Sequence, residues 1–523
     1  MSSRKPVSFW LGICVATWAT TGFVAAQQQQ VFISEPTGVN NNWSTAPILT
    51  RGETVHLLDG AGNFSWNSSH VKFDGLGAYR HDADTLRVYV NHENSLGSVS
   101  RVDLNVPLLQ SWITNRVVAN NNSNYAARPA GLLEGMSKAW TSVGGGLNQN
   151  LTLTNPCSGN AWEASTFGSG RGFTDRLYLT GEETFGTSPT GHFWVIDTAT
   201  NTLYQAPDVG GLGSWENATL IDTGRTDTVA LLLGEDRGTS ATGSARLSLY
   251  VGAKNPSSSD FLERNGLKGG KTYYWDANGT NNTNGTLGAG GLFANNNDSL
   301  LGTWTESTAE AVLFSKAEDV HTNMQTSSPK FGKEAVLASQ DQAIFQIDFS
   351  SLTFATGDLA PGSISSVKVL LKNGTDADPA GVFDGFDNLV WSPDGNLYVN
   401  EDDGEGDIWQ IKLADLSAQY QLGNLNPSLS NVFQILDADA IGAHTGGIAL
   451  GISESSGIID ISSLIGYAPG SIFLTNGMGS TGDQIALMVS PAPIAIPEPA
   501  TIGLLTMVLG AIGYRLTRRV GGG

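Results

Sequence analysis

Four short apolar runs in this 523-residue chain end abruptly in carboxylates. Val88-Tyr89-Val90 is followed by Asn91-His92-Glu93, and Leu177-Tyr178-Leu179 by Thr180-Gly181-Glu182-Glu183. Leu231-Leu232-Leu233 is followed by Gly234-Glu235-Asp236-Arg237, and Leu397-Tyr398-Val399 by Asn400-Glu401-Asp402. Acidic residues favour turns after strands, and that ordinary explanation competes for each run taken singly. A similar apolar triplet before all four argues for a shared role. Clustered carboxylates repel unless cations neutralise them, so four such ends aimed at one place predict bound metal.

Other residues could join that chemistry. Cys157, in Asn155-Pro156-Cys157-Ser158-Gly159, is either a buried structural thiol or a soft, charged ligand suited to iron or zinc. The chain has no Cys-x-x-Cys and no His-x-x-x-His, so an ordinary zinc site is unsupported. Lys316-Ala317-Glu318-Asp319 sets an acidic pair beside a cation, which a surface ion pair explains equally well. Asp387 and Asn388 open the run that ends at Glu401, and Glu454 is a lone carboxylate beside a predicted strand. His92 is the histidine placed next to an acidic strand end. Nucleophilic serine chemistry and nucleotide cofactors find no motif: there is no Gly-x-Ser-x-Gly elbow, phosphate loop or dinucleotide fingerprint.

The elements that must position these residues are short strands. Phe386 to Gly404 reads as a hairpin around Ser392-Pro393-Asp394-Gly395, where Pro presets the turn and Asp-Gly tolerates positive φ. Similar β-rich runs (Leu86-Val90, Arg176-Thr180, Thr228-Leu233, Arg246-Val251, Lys271-Trp275, Glu334-Ala338) alternate with Gly, Asn, Pro and Asp clusters. From Val31 to about Ser490 no long stretch follows a 3.6-residue period, so the expectation is an all-β fold. The acid-ended strands recur at multiples of roughly 45–50 residues, the period of propeller blades. In a β-propeller, four-stranded blades surround a channel lined by their innermost strands. Four acid-ended strands could then converge on one channel mouth.

Composition agrees. Glycine is abundant at 64 residues, and charged residues make up only 15%. The formal charge of −21 repels nucleic acid and anionic lipid, which excludes both as expected partners, and suits cation binding.

Both ends carry address labels. Residues 1–26 have a basic start (Arg4, Lys5), a largely apolar Val7 to Val24 and Ala25-Ala26, the pattern of a signal peptide. That leaves Cys157 as the lone cysteine of the mature body, residues 27–490. Residues 491–523 contain Pro497-Glu498-Pro499-Ala500, the apolar run Thr501 to Tyr514, and Arg515, Arg518 and Arg519. This order resembles the PEP-CTERM sorting signal. The resemblance implies an exosortase-type partner, transient membrane anchoring and release to the cell envelope or outside.

A second resemblance covers about residues 70–480. The ordered set Asn91-His92-Glu93, Cys157-Ser158-Gly159, Thr180-Gly181-Glu182-Glu183, Glu235-Asp236-Arg237-Gly238, Lys316-Ala317-Glu318-Asp319, Asp387-Asn388-Leu389 and Asn400-Glu401-Asp402 resembles PhoX-type alkaline phosphatases. Glu454 to Ile458 also looks like theirs. The resemblance implies a six-bladed propeller holding ferric iron and calcium at its channel mouth and hydrolysing small phosphomonoesters. Carried over, Cys157 would bind iron, and Glu235 and Glu318 iron or calcium. Glu182, Glu183, Asp387, Asn388, Glu401 and Glu454 would complete the metal set, with Arg237 or Lys316 contacting phosphate. The family shows Arg-Pro-Glu where this chain has Lys316-Ala317-Glu318, and lysine lacks the bidentate fork that suits phosphate. Arg4-Lys5 is a degenerate form of the twin-arginine signal common in that family. Two other readings stay open. One is a non-catalytic, calcium-binding propeller displayed in the matrix. The other is a lactonase or phytase-type propeller hydrolase.

Overall fold

The computed structural model describes residues 43–119, 128–184, 189–237, 245–277, 292–308, 311–340, 342–372, 385–402, 406–423, 432–436, 452–479 and 483–496. The signal peptide and the Pro-Glu-Pro segment lie outside these residues. Most of the expected strands are present at their expected positions, and almost all are antiparallel to their neighbours.

Among the described residues the strands form six four-stranded units. Blade 1 is Phe73–Arg80, Thr85–His92, Ser98–Asn105 and Leu133–Lys138. Blade 2 is Gly159–Trp162, Leu177–Gly181, Phe193–Asp197 and Thr202–Ala206, edged by the short parallel strand Ser142–Val143. Blade 3 runs from Trp215–Ile221 through Thr228–Glu235 and Ser248–Ala253 to Lys271–Asp276. Blade 4 is Ala317–Thr322, Glu334–Ser339, Ala343–Asp348 and Ile364–Lys372. The additional strand Ser299–Thr305 pairs with the outer strands of blades 3 and 4, joining them into one nine-stranded sheet.

Blade 5 holds the hairpin read from the sequence: Phe386–Trp391, Leu397–Glu401, Ile408–Ile411 and Val432–Leu436. Its turn closes through Gly395 N donating to Ser392 O at 2.9 Å, with Gly395 at φ +93°, where a Cβ would be strained. Blade 6 takes Ile452–Asp460, Ile472–Gly479 and Gln484–Val489 from the end of the chain and Ser44–Thr50 from its beginning. Ser44 faces Val489 and Thr50 faces Gln484, so the two ends of the body share one sheet and close the ring.

The first strand of each blade touches the first strand of the next, and the sixth returns to the first. This closed ring of six innermost strands is the propeller. Blade faces pack on one another, which explains why strands such as Thr85–His92 and Thr228–Glu235 are buried on both faces and do not alternate. The Tyr89 and Tyr178 rings stack 4.8 Å apart across the seam between blades 1 and 2.

Among the described residues three α-helices depart from the all-strand expectation, one of them the single turn Phe261–Arg264. Val106–Ala119 opens with Pro107 at a position where its missing N–H costs nothing, and it buries Leu109, Trp112 and Ile113 on one side. The shorter Leu413–Gln421 buries Leu413, Leu416 and Tyr420. Apolar residues at other helix positions blur the 3.6-residue signal in the first of these. Among the described residues no helix is long and apolar enough to cross a membrane. The last described segment remains tied to the body, with Tyr467 bridging Ala495 and Ile496 N bonding Gly466 O at 2.8 Å.

Candidate metal centre

Four innermost strands begin with the same device. In blade 1, Phe73 faces His92 and Leu76 faces Val90, so Asp74-Gly75 stands opposite the single residue Asn91. Glu216-Asn217 likewise opposes Gly234 in blade 3, Glu318-Asp319 opposes Ala338 in blade 4, and Asp387-Asn388 opposes Asn400 in blade 5. Each is a β-bulge, which inserts one residue and re-aims a side chain. The first bulged residue is always acidic. The second ties its blade to another: Asn217 Nδ2 donates to Asp319 Oδ1 and Leu389 N donates to Asp319 Oδ2 at 2.8 Å, both between adjacent blades, while Asn388 Nδ2 of blade 5 donates to Ser158 Oγ of blade 2 across the ring. Gly75 serves by having no side chain, since a Cβ there would lie 2.5 Å from Cys157 O and 2.6 Å from Gly159 N. Its N–H donates to that Cys157 carbonyl at 2.9 Å.

Blade 2 presents Cys157 at the corresponding place, just before its inner strand. Asn91 Nδ2 holds the Cys157 carbonyl at 2.7 Å and the Ser158 carbonyl at 3.0 Å, and Tyr178 Oη donates to Asn91 Oδ1 at 2.9 Å. The thiol donates to Asp74 Oδ2 at 3.0 Å. Ser158 Oγ donates to Glu216 Oε1 at 2.8 Å.

Two sets of potential ligands result. Cys157, Glu183 and Glu216 form one, and Glu216, Glu318 and Asp387 the other; within each, the ligand atoms lie within 4.8 Å of one another. Glu216 belongs to both. Burial is the main influence on every one of these acids. It pushes the Asp74 carboxyl up to about 7, aided by Glu93 and opposed by the Cys157 hydrogen bond and Lys72. Burial and then neighbouring carboxylates also hold Glu216, Glu318, Asp387 and Glu454 well above the usual range, and for Glu183 a hydrogen bond with Asp236 adds to burial. The Cys157 thiol is pushed up by burial, Asp74 and Glu216. Such a cluster must keep protons or take up cations. Asp74 Oδ1, Glu216 Oε2 and Asn388 Oδ1 are buried without a hydrogen-bond donor, as ligand oxygens awaiting a cation would be. Hard oxygens beside one soft sulfur fit calcium and iron.

The residues picked from the sequence divide into two groups. Cys157, Glu183, Glu318 and Asp387 meet in the two sets, and Asn388 adjoins them through Ser158. Glu454 lies near the start of the inner strand of blade 6, where burial and then the Asp402 and Asp74 carboxylates raise its pKa. Glu182, Glu235 and Glu401 belong to neither set. Glu182 accepts from Thr154 N at 2.9 Å and His192 N at 3.2 Å, bracing a turn. Glu235 accepts from Arg246 N at 3.3 Å, with Arg237 Nη1 3.6 Å from its other oxygen. Glu401 is buried opposite Phe386. Lys316, at φ +40°, places Nζ 3.0 Å from Glu318 Oε1 and donates to Gln340 Oε1. Burial works against its charge, but Glu318 and Asp236 outweigh that and raise its pKa.

The acid-ended strands that define the repeat are the second strands of blades 1, 2, 3 and 5, not the innermost ones. Antiparallel pairing nevertheless brings their ends to the mouth where the inner strands begin. Sequence reading therefore pointed to the mouth where these acids gather, and did not single out Asp74 and Glu216. Their signal was present as an acid followed by Gly, Asn or Asp after an apolar residue: Phe73-Asp74-Gly75, Trp215-Glu216-Asn217, Ala317-Glu318-Asp319 and Phe386-Asp387-Asn388.

No protein-family model and no curated protein matches the sequence. Solved propellers do share similarity in structure. The Dos1 propeller aligns over 83% of this chain and 72% of its own at 11% identity and a TM-score of 0.30. The BP39L lectin from Burkholderia pseudomallei aligns over 82% and 100% at 9% identity and a TM-score of 0.33. The WD40 propeller domain of Doa1 aligns over 80% and 94% at 10% identity and a TM-score of 0.29. At this level of similarity the fold assignment rests on the strand order itself: this chain is a β-propeller closed by pairing of its first and last strands.

Proposed function

We propose that the protein is a metal-dependent phosphomonoesterase of the PhoX type, working at the acidic channel mouth. The observation that carries this reading is Glu216, shared between a thiol-containing ligand set and an all-carboxylate set. Cys157, Glu183 and Glu216 would hold iron; Glu216, Glu318 and Asp387, with Asn388 beside them, would hold calcium. When bound, these cations would neutralise phosphate oxygens and activate water. The chain's own residues prepare the place. Asn91 fixes the Cys157 backbone, Asp74 stands ready to take the thiol proton at Oδ2, and the bulges aim carboxylates inward. Lys316 brings a positive charge beside Glu318.

A non-catalytic calcium-binding propeller is the second reading, and Lys316 favours it. Its ammonium is already committed to Glu318 and Gln340, and it lacks the fork that grips phosphate. Under either reading we propose export through the N-terminal signal, tethering through the C-terminal segment and processing by an exosortase-type enzyme.

Metal analysis of purified residues 27–496, with p-nitrophenyl phosphate turnover on the same sample, separates the two. The phosphatase reading expects iron and calcium with turnover, and loss of iron in Cys157→Ala. Calcium without iron, and no turnover, would sink it and leave the display propeller.

A further inference from the structure

The chain leaves the propeller at the mouth opposite the acids. The inner strands of blades 1 and 6 begin near Asp74 and Glu454 at the acidic mouth and end at Arg80 and Asp460 at the far one. The last strand, Gln484–Val489, lies two antiparallel steps from the inner strand of its blade, so it runs the same way and also ends at the far mouth.

From there the backbone is fastened to the turn that follows Asp460. Ser490 N donates to Ser471 O at 2.9 Å, Ala468 N to Ile494 O at 2.7 Å and Ile496 N to Gly466 O at 2.8 Å, and Tyr467 bridges Ala495. Tyr467 and Ile465 are buried in one core with Trp112, and Gln110 Nε2 donates to Ile465 O at 2.9 Å, so the helix Val106–Ala119 backs this clip. Ile494 and Ile496 stand 64% and 50% exposed on it.

Only Pro497, Glu498, Pro499 and Ala500 separate the clip from the apolar run Thr501 to Tyr514. From Ile496 to Thr501 the chain reaches at most about 18 Å in any conformation. The inner strand Ile452–Asp460 makes the body about 30 Å tall from mouth to mouth. A body with its acidic mouth on the bilayer would need a tether that climbs this height, and the tether is too short. The carboxylate cluster also repels anionic lipid.

We propose that the far mouth is the membrane-facing surface of the tethered protein, with Ile494 and Ile496 against the lipid headgroups, and that the acidic mouth opens away from the bilayer. This inference rests on the tethering reading above, since Thr501 to Tyr514 must sit in a membrane for it to hold. It leaves the metal ligands accessible to solutes arriving from the side remote from the lipid.

The test uses residues 27–523 in phosphatidylcholine vesicles that carry a headgroup-nitroxide lipid, which quenches fluorescence only near the lipid surface. A fluorophore is attached through p-azidophenylalanine in place of Ala83 or of Leu96. Both positions are exposed. Ala83 lies in the far-mouth turn where Arg80 Nη1 donates to Leu464 O at 3.1 Å, and Leu96 follows Glu93 at the acidic mouth. Emission is expected to be lost at position 83 and kept at position 96. Inserting about twenty Gly and Ser residues between Ile496 and Pro497 adds a flexible reach of about 25 Å, and most of the quenching at position 83 should then disappear. Equal quenching at the two positions, or quenching at position 83 that survives the insertion, overturns the proposal. Vesicle flotation separates the two levels of failure. Protein that does not float with the vesicles sinks the tethering reading and this inference together, whereas protein that floats but is quenched alike at both positions sinks this inference alone.

Discussion

Replacing Glu216 with Gln should change stability in opposite directions with and without metal. In the metal-free protein Glu216 is buried within 4.8 Å of ligand atoms from Cys157, Glu183, Glu318 and Asp387. Two unit charges at that separation repel by about 3.5 kcal/mol at an effective dielectric of 20. Protonation relieves part of this, so the net gain on neutralising Glu216 is about 1–3 kcal/mol. Gln keeps an acceptor for Ser158 Oγ, now at 2.8 Å, so the contact with blade 2 survives. For a body of this size each kcal/mol moves the melting point by about 1 °C. Calorimetry in chelator should therefore show Glu216→Gln melting about 1–3 °C above the parent. With calcium and iron restored the order should reverse, because the variant loses a ligand from both sets, and bound metal should fall by at least one ion per chain. A variant that melts lower in chelator, or that keeps its full metal content, would refute the shared-ligand geometry.

Three further outcomes follow from the same coordinates. Gly75→Ala drives a Cβ to 2.5 Å from the Cys157 carbonyl, so it should displace the thiol, abolish iron uptake and cost about 1–3 kcal/mol in urea unfolding; unchanged iron content would show that Cys157 is not a ligand. Ile48→Ala empties a fully buried site in the strand that closes the ring, and should cost about 2–4 kcal/mol, against a loss under 1 kcal/mol if that closure is dispensable. Burial lowers the His70 and His321 imidazoles to about 4, with Lys138 adding to the effect at His70. Their folded pKa values lie below the unfolded value, so the unfolded chain binds the extra protons. Their contribution is therefore full above pH 6.5 and is lost as pH falls from there towards 4. Proton NMR should show both rings still neutral at pH 5.5, and titration of either ring near 6.5 would contradict the packing.

The strands of the propeller were legible because their causes are local. Apolar triplets such as Leu231-Leu232-Leu233, and the Ser392-Pro393-Asp394-Gly395 turn, carry β structure in neighbouring residues. The helix Val106–Ala119 escaped because its stability comes from burying Leu109, Trp112 and Ile113 against blade 1 and its surroundings, a tertiary effect that its weak periodicity hides.

By itself the sequence determined that acid-ended strands recur at a blade-like spacing, and it put Cys157, Glu183, Glu318 and Asp387 forward as candidate ligands. Only the tertiary structure decided which strands are innermost and which acids converge. Strand order across a sheet and the closing of Ser44–Thr50 onto Gln484–Val489 depend on contacts hundreds of residues apart. The bulges then select Asp74 and Glu216, and leave Glu182 and Glu235 to brace backbone. One inserted residue turns a side chain from one side of a strand to the other, and pairing register, set by partners distant in sequence, decides where that insertion falls.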